Sequence, residues 1–395
     1  MNSSLKEKIQ KYYLFQFFDS LAFFAPVIVL FWQSNGLTVT QIMYLQSIYS
    51  IGVVFLELPT GAFADFFGKK QSLMIGALFW TGGIIFYGLG HTFWQFVIGE
   101  LVVGIGSAFI SGADRAYLHE LLRMEQKTGD FKKIEGKARG IIQVAQAIGS
   151  IGGGLIGTIS LGLPLISTGI STFIGFVIAT TFPPVKKTNT RVKKPGYLQI
   201  IGESLSLIKR HKTLLWLTVF FACFNGLLLP LNFYSQLYMQ VLKVPILYFG
   251  VILFGFNLIT AFGSTMTHRF EKIAGKSVFI IMSVVVVSAL LIIVLTQSIF
   301  TFILWSLFLT CMFMTQTIIS DRVLQIVPVE KAATILSFQS LARRLTYAAV
   351  APIVGMATDG FGIQKTLFGY ALILALVFGV LLVLQNKFET AKVSA

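Results

Sequence analysis

The chain has 395 residues, of which 55% are hydrophobic and only 12% are charged. An average soluble domain has about 25% charged residues, so this composition excludes an ordinary soluble protein of this size. It predicts an all-α integral membrane protein with several spanning helices. The two cysteines, Cys223 and Cys311, lie within apolar runs and indicate neither a disulfide nor a metal site.

The formal net charge is +15, which on its own is compatible with nucleic-acid binding. The distribution of the basic residues argues against a nucleic acid partner. Most of the 31 Lys and Arg residues fall in segments that we assign to the cytoplasm, whereas the predicted outer loops contain only Lys243 and Lys365. This is the positive-inside pattern. It predicts a multi-pass protein of the cell inner (cytoplasmic) membrane with both termini in the cytoplasm.

A helix that crosses a bilayer needs about 20 apolar residues. The first run of this length contains Asp19 and lacks a small-residue cleavage site, so it is predicted to be a membrane helix rather than a removed signal peptide. Counting the runs predicts 12 transmembrane helices, at residues 12–34, 40–63, 71–90, 93–117, 139–161, 163–182, 213–237, 246–267, 277–296, 299–320, 334–357 and 363–386.

A polar, basic segment separates these runs into two groups of six. We predict an N-terminal six-helix bundle at residues 1–182, a cytoplasmic linker at 183–212 and a C-terminal six-helix bundle at 213–395. A regulatory or partner-binding role for the linker stays open. Apolar residues within it recur at helical spacing beside several lysines and arginines, which predicts an amphipathic helix on the anionic inner leaflet: Tyr197, Leu198, Ile201, Leu205 and Ile208.

The segment between the second and third predicted helices reads Gly61-x3-Asp65-x2-Gly68-Lys69-Lys70. In a cytoplasmic turn, Gly61 lets a neighbouring helix approach, Asp65 caps a helix end and Gly68 suits a positive φ. The two lysines hold the turn on the cytoplasmic side. The pattern resembles the loop 2–3 signature of the major facilitator superfamily. The resemblance implies two pseudo-symmetric six-helix bundles that work as a monomer on a small-molecule substrate.

A second pattern occurs once in each half. Asp114-Arg115 closes the fourth predicted helix, and Asp321-Arg322 closes the tenth. The resemblance implies that these pairs join the acidic and basic residues of the loop signature in an inner gate. The ion pairs of such a gate form and break as the two halves rock. A purely static role is the alternative.

Acidic residues also lie inside the predicted membrane helices, where an ionisable group costs about 2.5–3.5 kcal/mol and should face a cavity or a partner. Phenylalanines surround Asp19 in the sequence and favour its protonated form, which suits proton binding coupled to transport. A structural hydrogen bond is the alternative for Asp19. Glu57, beside Pro59, is either a proton or substrate carboxylate or the partner of an arginine.

A third acid, Glu100, lies in the fourth predicted helix. Drug–proton antiporters of the superfamily often have an arginine at this position, in a pattern that resembles RxxxGxG. This chain has Glu100-x3-Gly104-x-Gly106, so the glycines agree and the charge is reversed. The reversal argues against the arginine-based mechanism of those relatives and makes Glu100 a further candidate for proton coupling.

The C-terminal half supplies basic and polar candidates. Arg343 and Arg344 lie about ten residues into the eleventh predicted helix and point about 100° apart, so we expect one of them to face a cavity. There it neutralises an acid or binds an anionic substrate group, unless it snorkels to the inner surface. The seventh run contributes Asn225, Asn232 and Gln236. With 38 phenylalanines in the chain, we predict an aromatic cavity for an amphipathic organic substrate.

The fifth predicted helix is rich in glycine. Small residues at helical spacing let helices pack backbone to backbone. The run is also similar to the antiporter signature of the superfamily, GxxxxxxxxGxxxGPxxGG, which is associated with exporters. Here Gly154 replaces the proline and Thr158 replaces the last glycine, and simple close packing is the alternative. The motif residues are Gly140, Gly149, Gly153, Gly154 and Gly157.

These observations predict a secondary active transporter that exports amphipathic or lipophilic molecules in exchange for protons by alternating access. The alternative is a proton-coupled importer of a small organic nutrient or a metal chelate. A membrane enzyme is disfavoured because the sequence contains no nucleotide-binding glycine loop, no His/Cys cluster and no nucleophile–base spacing. We therefore expect protons, a small molecule and the lipid bilayer as partners, with no cofactor and no bound metal.

Overall fold

The computed structural model describes residues 3–185 and 197–390. These residues form α-helices and short 3₁₀ turns, with no β-strand among them. The α-helices are α1 Ser3–Asp19, α2 Ile28–Ser34, α3 Val39–Phe67, α4 Lys69–Gly88, α5 Phe93–Ile110, α6 Ala113–Met124, α7 Phe131–Gly157, α8 Leu163–Thr180, α9 Tyr197–Arg210, α10 Lys212–Leu228, α11 Leu231–Val241, α12 Ile246–Thr265, α13 Thr267–Ala274, α14 Val278–Thr296, α15 Phe302–Ile326, α16 Val329–Phe361 and α17 Ile363–Thr390.

Within the described residues, 10 segments are long and apolar enough to cross a membrane. They coincide with all but two of the predicted runs. The two exceptions are 12–34, which is interrupted, and 334–357, which lies inside α16 and contains two adjacent arginines. The all-α, multi-pass fold class is confirmed, and the exact number of spanning helices remains a prediction.

The first predicted helix is not continuous, which corrects the expectation for residues 12–34. α1 ends at Asp19 and α2 begins at Ile28, and the residues between them are unwound. Helix α8 hydrogen-bonds the backbone beside the break: the Ser171 hydroxyl donates to the carbonyl oxygen of Phe18 (2.7 Å), and the Thr168 hydroxyl accepts from the amide of Phe24 (3.2 Å). Non-helical backbone at membrane depth needs such partners, because no water replaces the missing helical bonds.

The seventh predicted helix is interrupted in a similar way, between α10 and α11. Pro230 precedes the first residue of α11 and has no amide hydrogen to continue the α10 hydrogen-bond ladder. The predicted turn at residues 57–70 is shorter than expected, because only Gly68 separates α3 from α4. Gly68 has a φ of 114°, in agreement with the prediction of a positive φ. Gly61 and Asp65 therefore lie within α3 rather than in a loop.

The described residues form two compact units. The first comprises the described parts of Met1–Leu37, Ile48–Val192 and Val244–Phe254. The second comprises the described parts of Thr38–Ser47, Lys193–Lys243 and Gly255–Ala395. The start of α3 is thus packed with the second unit and the start of α12 with the first, so each unit contains a short segment from the other half of the sequence. The predicted boundaries at 182 and 213 remain a prediction.

Aromatic side chains fill the core of each unit. In the first unit the ring of Phe182 stacks on Tyr117 with a centroid distance of 4.8 Å and meets the edge of Phe15 at 5.6 Å. These three rings join α1, α6 and the residues that follow α8, and all three are almost fully buried. In the second unit a column of rings along α10 packs against α14 and α17: Trp216, Phe220, Phe224, Phe279 and Phe378.

Glycines bring α4 and α5 into backbone contact in the first unit. A Cβ atom on Gly106 would lie 2.6 Å from the Trp80 amide nitrogen and 2.8 Å from the Gly76 carbonyl oxygen. Backbone atoms cannot rotate away as a side chain can, so any larger residue at 106 must push the helices apart. At Gly104, two residues earlier, a Cβ would be no closer than 3.7 Å to its nearest neighbour, a carbon of Tyr49.

Gly106→Ala is expected to destabilise the protein by about 1–3 kcal/mol, the usual cost of overpacking. Gly104→Ala should leave the stability unchanged or raise it slightly, because alanine is the better helix former and space is available. Thermal unfolding of the two purified variants in detergent measures the difference. Equal melting temperatures for the two variants would contradict the proposed backbone contact.

Candidate functional site

The unwound segment of the first unit lies against the glycine motif of α7. A Cβ atom on Gly149 would lie 2.8 Å from the amide nitrogen of Ala22, and one on Gly153 would overlap the carbonyl oxygen of Phe23. α7 can therefore approach the unwound backbone only because both positions lack a side chain. Asp19, the last residue of α1, is half-buried at the start of this segment.

A second face of the glycine motif, about 100° around the helix, packs against α12. A Cβ on Gly154 would lie 3.0 Å from the Gly250 amide nitrogen and 3.1 Å from the Leu247 carbonyl oxygen. A Cβ on Gly157 would meet both Val27, at 2.8 Å, and Ile246, at 3.6 Å. α7 thus uses two glycine faces, one toward the unwound segment and one toward the start of α12. Gly140 has open space around it and takes part in neither contact.

Glu100 is the end of a buried hydrogen-bond chain in the first unit. Its side chain is only 7% exposed and accepts a hydrogen bond of 3.2 Å from the hydroxyl of Tyr87. The Tyr87 oxygen in turn accepts a bond of 2.7 Å from the indole nitrogen of Trp32. The chain connects α5, α4 and α2. The sequence analysis missed Tyr87 and Trp32, because an aromatic residue in an apolar run does not reveal a polar partner.

The other two predicted acids differ in their surroundings. Asp19 interacts electrostatically with Asp114, which also lies in the first unit and accepts a hydrogen bond of 3.5 Å from the Gln16 amide. Two carboxylates in one site are seldom ionised together, since like charges repel. Glu57 is exposed on α3, one turn before Thr60, whose hydroxyl donates to the Ala108 carbonyl oxygen.

The predicted polar residues of the C-terminal half lie on α10, α11 and α16 in the second unit. Asn225 is 1% exposed, and its amide donates to the Phe221 carbonyl oxygen of its own helix at 3.3 Å. A Cβ on the next residue, Gly226, would lie 3.0 Å from the carbonyl oxygen of Arg343, so α10 and α16 touch there. Gln236 is buried. The other predicted residues are half-buried: Asn232, Arg343 and Arg344.

The cytoplasmic motif of the first unit makes local bonds. Lys69 pairs with Asp65 across the Gly68 break, and Lys70 donates to the carbonyl oxygens of Thr180 (2.7 Å) and Phe182 (2.6 Å). A cation at these positions satisfies the free carbonyl groups at the end of α8. The motif thus fixes the ends of three helices within the first unit.

The repeated Asp-Arg pairs have acidic partners that the sequence analysis did not name. In α6, Arg115 pairs with Glu135 at 3.0 Å, and Glu135 also pairs with Arg139 at 3.2 Å. In α15 of the second unit, Arg322 pairs with Glu271 of α13 at 3.1 Å. Asp321 accepts from Gln325 of its own helix at 2.8 Å. Asp114 and Arg115 lie in the first turn of α6, because α5 ends at Ile110 and Gly112, with a φ of 76°, precedes α6.

A further polar contact joins two distant parts of the chain inside the second unit. Asp359, beyond the predicted span at 334–357, accepts hydrogen bonds from the amides of Val39 (3.0 Å) and Thr40 (2.8 Å). The carboxylate therefore caps the N-terminus of α3 from outside that helix. Burial by itself raises the pKa of Asp359, but the hydrogen bonds from Thr40, Val39 and Thr38 outweigh burial, so the pKa is lowered overall.

The chain matches the Major Facilitator Superfamily over residues 13–346, which is most of its length. The chain belongs to the major facilitator superfamily. It is a multi-pass membrane transporter rather than an enzyme.

Curated relatives match the chain at low identity. Multidrug resistance protein 2 of Bacillus subtilis (strain 168) is 23% identical over 199 residues, which are 50% of this chain and 44% of the relative. Quinolone resistance protein NorA of Staphylococcus aureus is 20% identical over 183 residues, which are 46% of each chain. The chain therefore spans less than half the length of the curated relatives it matches.

Solved structures match over nearly the full length. The nucleoside transporter NupG gives a TM-score of 0.78 at 15% identity, covering 96% of this transporter and 99% of NupG. The D-xylose-proton symporter gives a TM-score of 0.70 at 14% identity, covering 94% and 95% of the two chains. At these identities the likeness confirms the fold alone.

Gly153→Ala is expected to destabilise the transporter by about 1–3 kcal/mol and to reduce transport, because the methyl group would overlap the Phe23 carbonyl oxygen. Gly140→Ala is the matched control on the same helix, where nothing lies within 4 Å of the added carbon. Thermal unfolding in detergent and transport in vesicles are the two measurements. If Gly140→Ala lowers stability and transport as much as Gly153→Ala, the effect comes from a general loss of glycine flexibility. The contact between Gly153 and Phe23 would then not be its cause.

Asp359→Asn is expected to lower the melting temperature at neutral pH by about 1–3 °C, because the amide has one acceptor oxygen where the carboxylate uses two, and it lacks the negative charge that favours a helix N-terminus. The lowered pKa means that Asp359 stabilises the fold fully above its ordinary pKa and loses this effect as the pH falls through the lowered value. The difference between wild type and variant should therefore shrink in acid. Asp130→Asn, at a partly exposed carboxylate that makes no side-chain cap for α7, is the control. A difference that stays constant with pH would refute the cap.

Proposed function

We propose that the transporter exports amphipathic or lipophilic small molecules in exchange for protons by alternating access. The observation that carries this proposal is the position of Asp19. It terminates α1 directly before an unwound segment that the α7 glycines hold in place. In transporters, interrupted helices expose backbone groups that bind ions and substrates near the middle of the membrane.

Asp19 is the acid that we assign to the coupling proton. It is half-buried, so part of its side chain is accessible for proton exchange, and it interacts with the second acid Asp114. Loss of one proton from this pair changes the local charge, which alters the relative stability of two conformations. Glu100 is less suited to this role, because it is 7% exposed and already accepts a hydrogen bond from Tyr87.

The proposed substrate class follows from the aromatic composition and the relatives. An amphipathic organic molecule binds to apolar and aromatic walls, with a few polar groups fixing its orientation. Asn232 and Gln236 on α11 and the arginines of α16 are the polar groups that we propose for this purpose. The names of two relatives, a multidrug resistance protein and a quinolone resistance protein, agree with export of such molecules.

Two sets of contacts are proposed to change during transport. One is the packing of α7 on α12 around Gly154 and Gly250, and the other is the cap that Asp359 provides for α3. Both rest on backbone groups and involve little side-chain interlocking, so the packed surfaces can separate and rejoin without rearranging rotamers. A substrate or proton shifts the balance only if it binds the two states with different affinity.

A proton-coupled importer is the second candidate. The α7 motif departs from the antiporter signature at Gly154 and Thr158, and Gly154 is in contact with α12. The glycine run thus has a packing role that does not depend on the direction of transport. The similar solved structures include a nucleoside transporter and a D-xylose-proton symporter.

Transport in proteoliposomes under an imposed pH gradient tests the proposal with a panel of fluorescent amphipathic cations and anions. Export predicts that protons leave inside-out vesicles as substrate accumulates. Asp19→Asn should reduce this pH-driven accumulation at least about tenfold, since one proton supplies about 1.4 kcal/mol per pH unit. It should retain substrate exchange without a gradient, which needs no net proton movement.

Asp130→Asn is the control for a partly exposed acid outside the proposed coupling site, and Glu100→Gln tests the buried acid. If Glu100→Gln alone abolishes coupling, the proton belongs to Glu100 and the assignment of Asp19 is wrong. Movement of substrate and protons in the same direction would establish the importer and reject export.

A further inference from the structure

A cavity on the second unit lies between α9 and the beginning of α16. Its volume is about 400 Å³, which is large enough for a small polar group and its hydration shell. Basic, hydroxyl and apolar side chains line it: Ser206, Leu207, Arg210, Lys331, Thr334 and Ile335. None of these residues belongs to the proposed transport pathway.

The lining has the chemistry of an anion site. Arg210 presents a guanidinium group that binds phosphate oxygens in pairs, and Lys331 adds a second positive charge from the facing helix. The hydroxyl groups of Ser206 and Thr334 can donate further hydrogen bonds to the same oxygens. Neither cation has an ion-pair partner among the side chains that the structure describes.

The floor of the cavity is apolar and well packed. Ile335 is 1% exposed, and Leu207 is half-buried beside it. Ile208, the next residue of α9, is also 1% exposed, so α9 is packed against the transporter and is more than a surface helix. The two cations are therefore held on helices that have a fixed place in the second unit, which lowers the entropy lost on binding.

The position along the chain indicates where the anion comes from. Arg210 ends α9, and the membrane-spanning pair α10–α11 begins two residues later at Lys212. A residue at this point lies at the level of lipid headgroups, where basic pockets beside membrane helices bind anionic lipids. The sequence of residues 186–196, which lie outside the described residues, adds five more basic residues just before this helix.

We propose that this cavity binds a phosphate group, and that the headgroup of an anionic phospholipid of the inner leaflet supplies it. A phosphorylated solute has the same binding chemistry and is the other source. The bound phosphate would fix the linker helix to the start of α16.

Native mass spectrometry of the full-length purified protein is the first experiment, with phosphatidylglycerol and phosphatidylcholine as probes. Wild type should retain one phosphatidylglycerol in preference to phosphatidylcholine. Arg210→Gln/Lys331→Gln should weaken this binding at least about tenfold, because each cation makes charged hydrogen bonds to phosphate. Thr334→Val should weaken it by a smaller factor without any change in charge.

Lys209→Gln/Lys212→Gln is the matched control, since it removes the same charge from the same segment at positions that do not line the cavity. If this control weakens lipid binding as much as the Arg210/Lys331 variant, general surface charge attracts the lipid and the proposal is wrong. Absence of any preference for phosphatidylglycerol, together with no binding of inorganic phosphate, would also overturn it. Binding of inorganic phosphate that competes with the lipid, and that the Arg210/Lys331 variant loses, supports the site with a soluble source.

Discussion

Close contact between backbone atoms is the constraint on which the described structure depends most. α7 lies against an unwound segment on one face and against α12 on the other, and both contacts need glycine. In a membrane, apolar side chains gain little by associating with each other, because lipid tails are equally apolar. Backbone groups that approach closely still gain dispersion contacts and shield one another. Small residues therefore have the packing role in this protein that large apolar residues have in the core of a soluble protein.

The interruption after Asp19 has a cost that neighbouring side chains offset. Unwinding leaves amide and carbonyl groups without helical partners, and each unsatisfied group at membrane depth costs several kcal/mol. Ser171 and Thr168 of α8 satisfy two of these groups. The carboxylate of Asp19 lies at the start of this break, and it is the group to which we assign the coupling proton.

Hydropathy was sufficient to predict the membrane class and ten of the apolar segments, and a glycine in the predicted turn was sufficient to predict the positive φ of Gly68, because each depends on the local sequence. The breaks in the first and seventh helices were not predictable, since an apolar run has the same composition whether it is helical or unwound. The partners of Arg115 and Arg322 were also missed. Glu135 and Glu271 lie 20 and 51 residues away from them in sequence, and only the tertiary fold brings each pair together.

The same reasoning explains why the glycine motif alone leaves the direction of transport open. The glycines at 149, 153, 154 and 157 are each accounted for by a specific backbone or side-chain neighbour, and this packing is needed in an importer as much as in an exporter. In the proposed proton-coupled cycle, direction depends on whether the coupling acid carries its proton together with the bound substrate or in exchange for it, because the two binding events are linked through the conformational balance. The chemistry at the end of α1 is therefore more informative about function than the signature beside it.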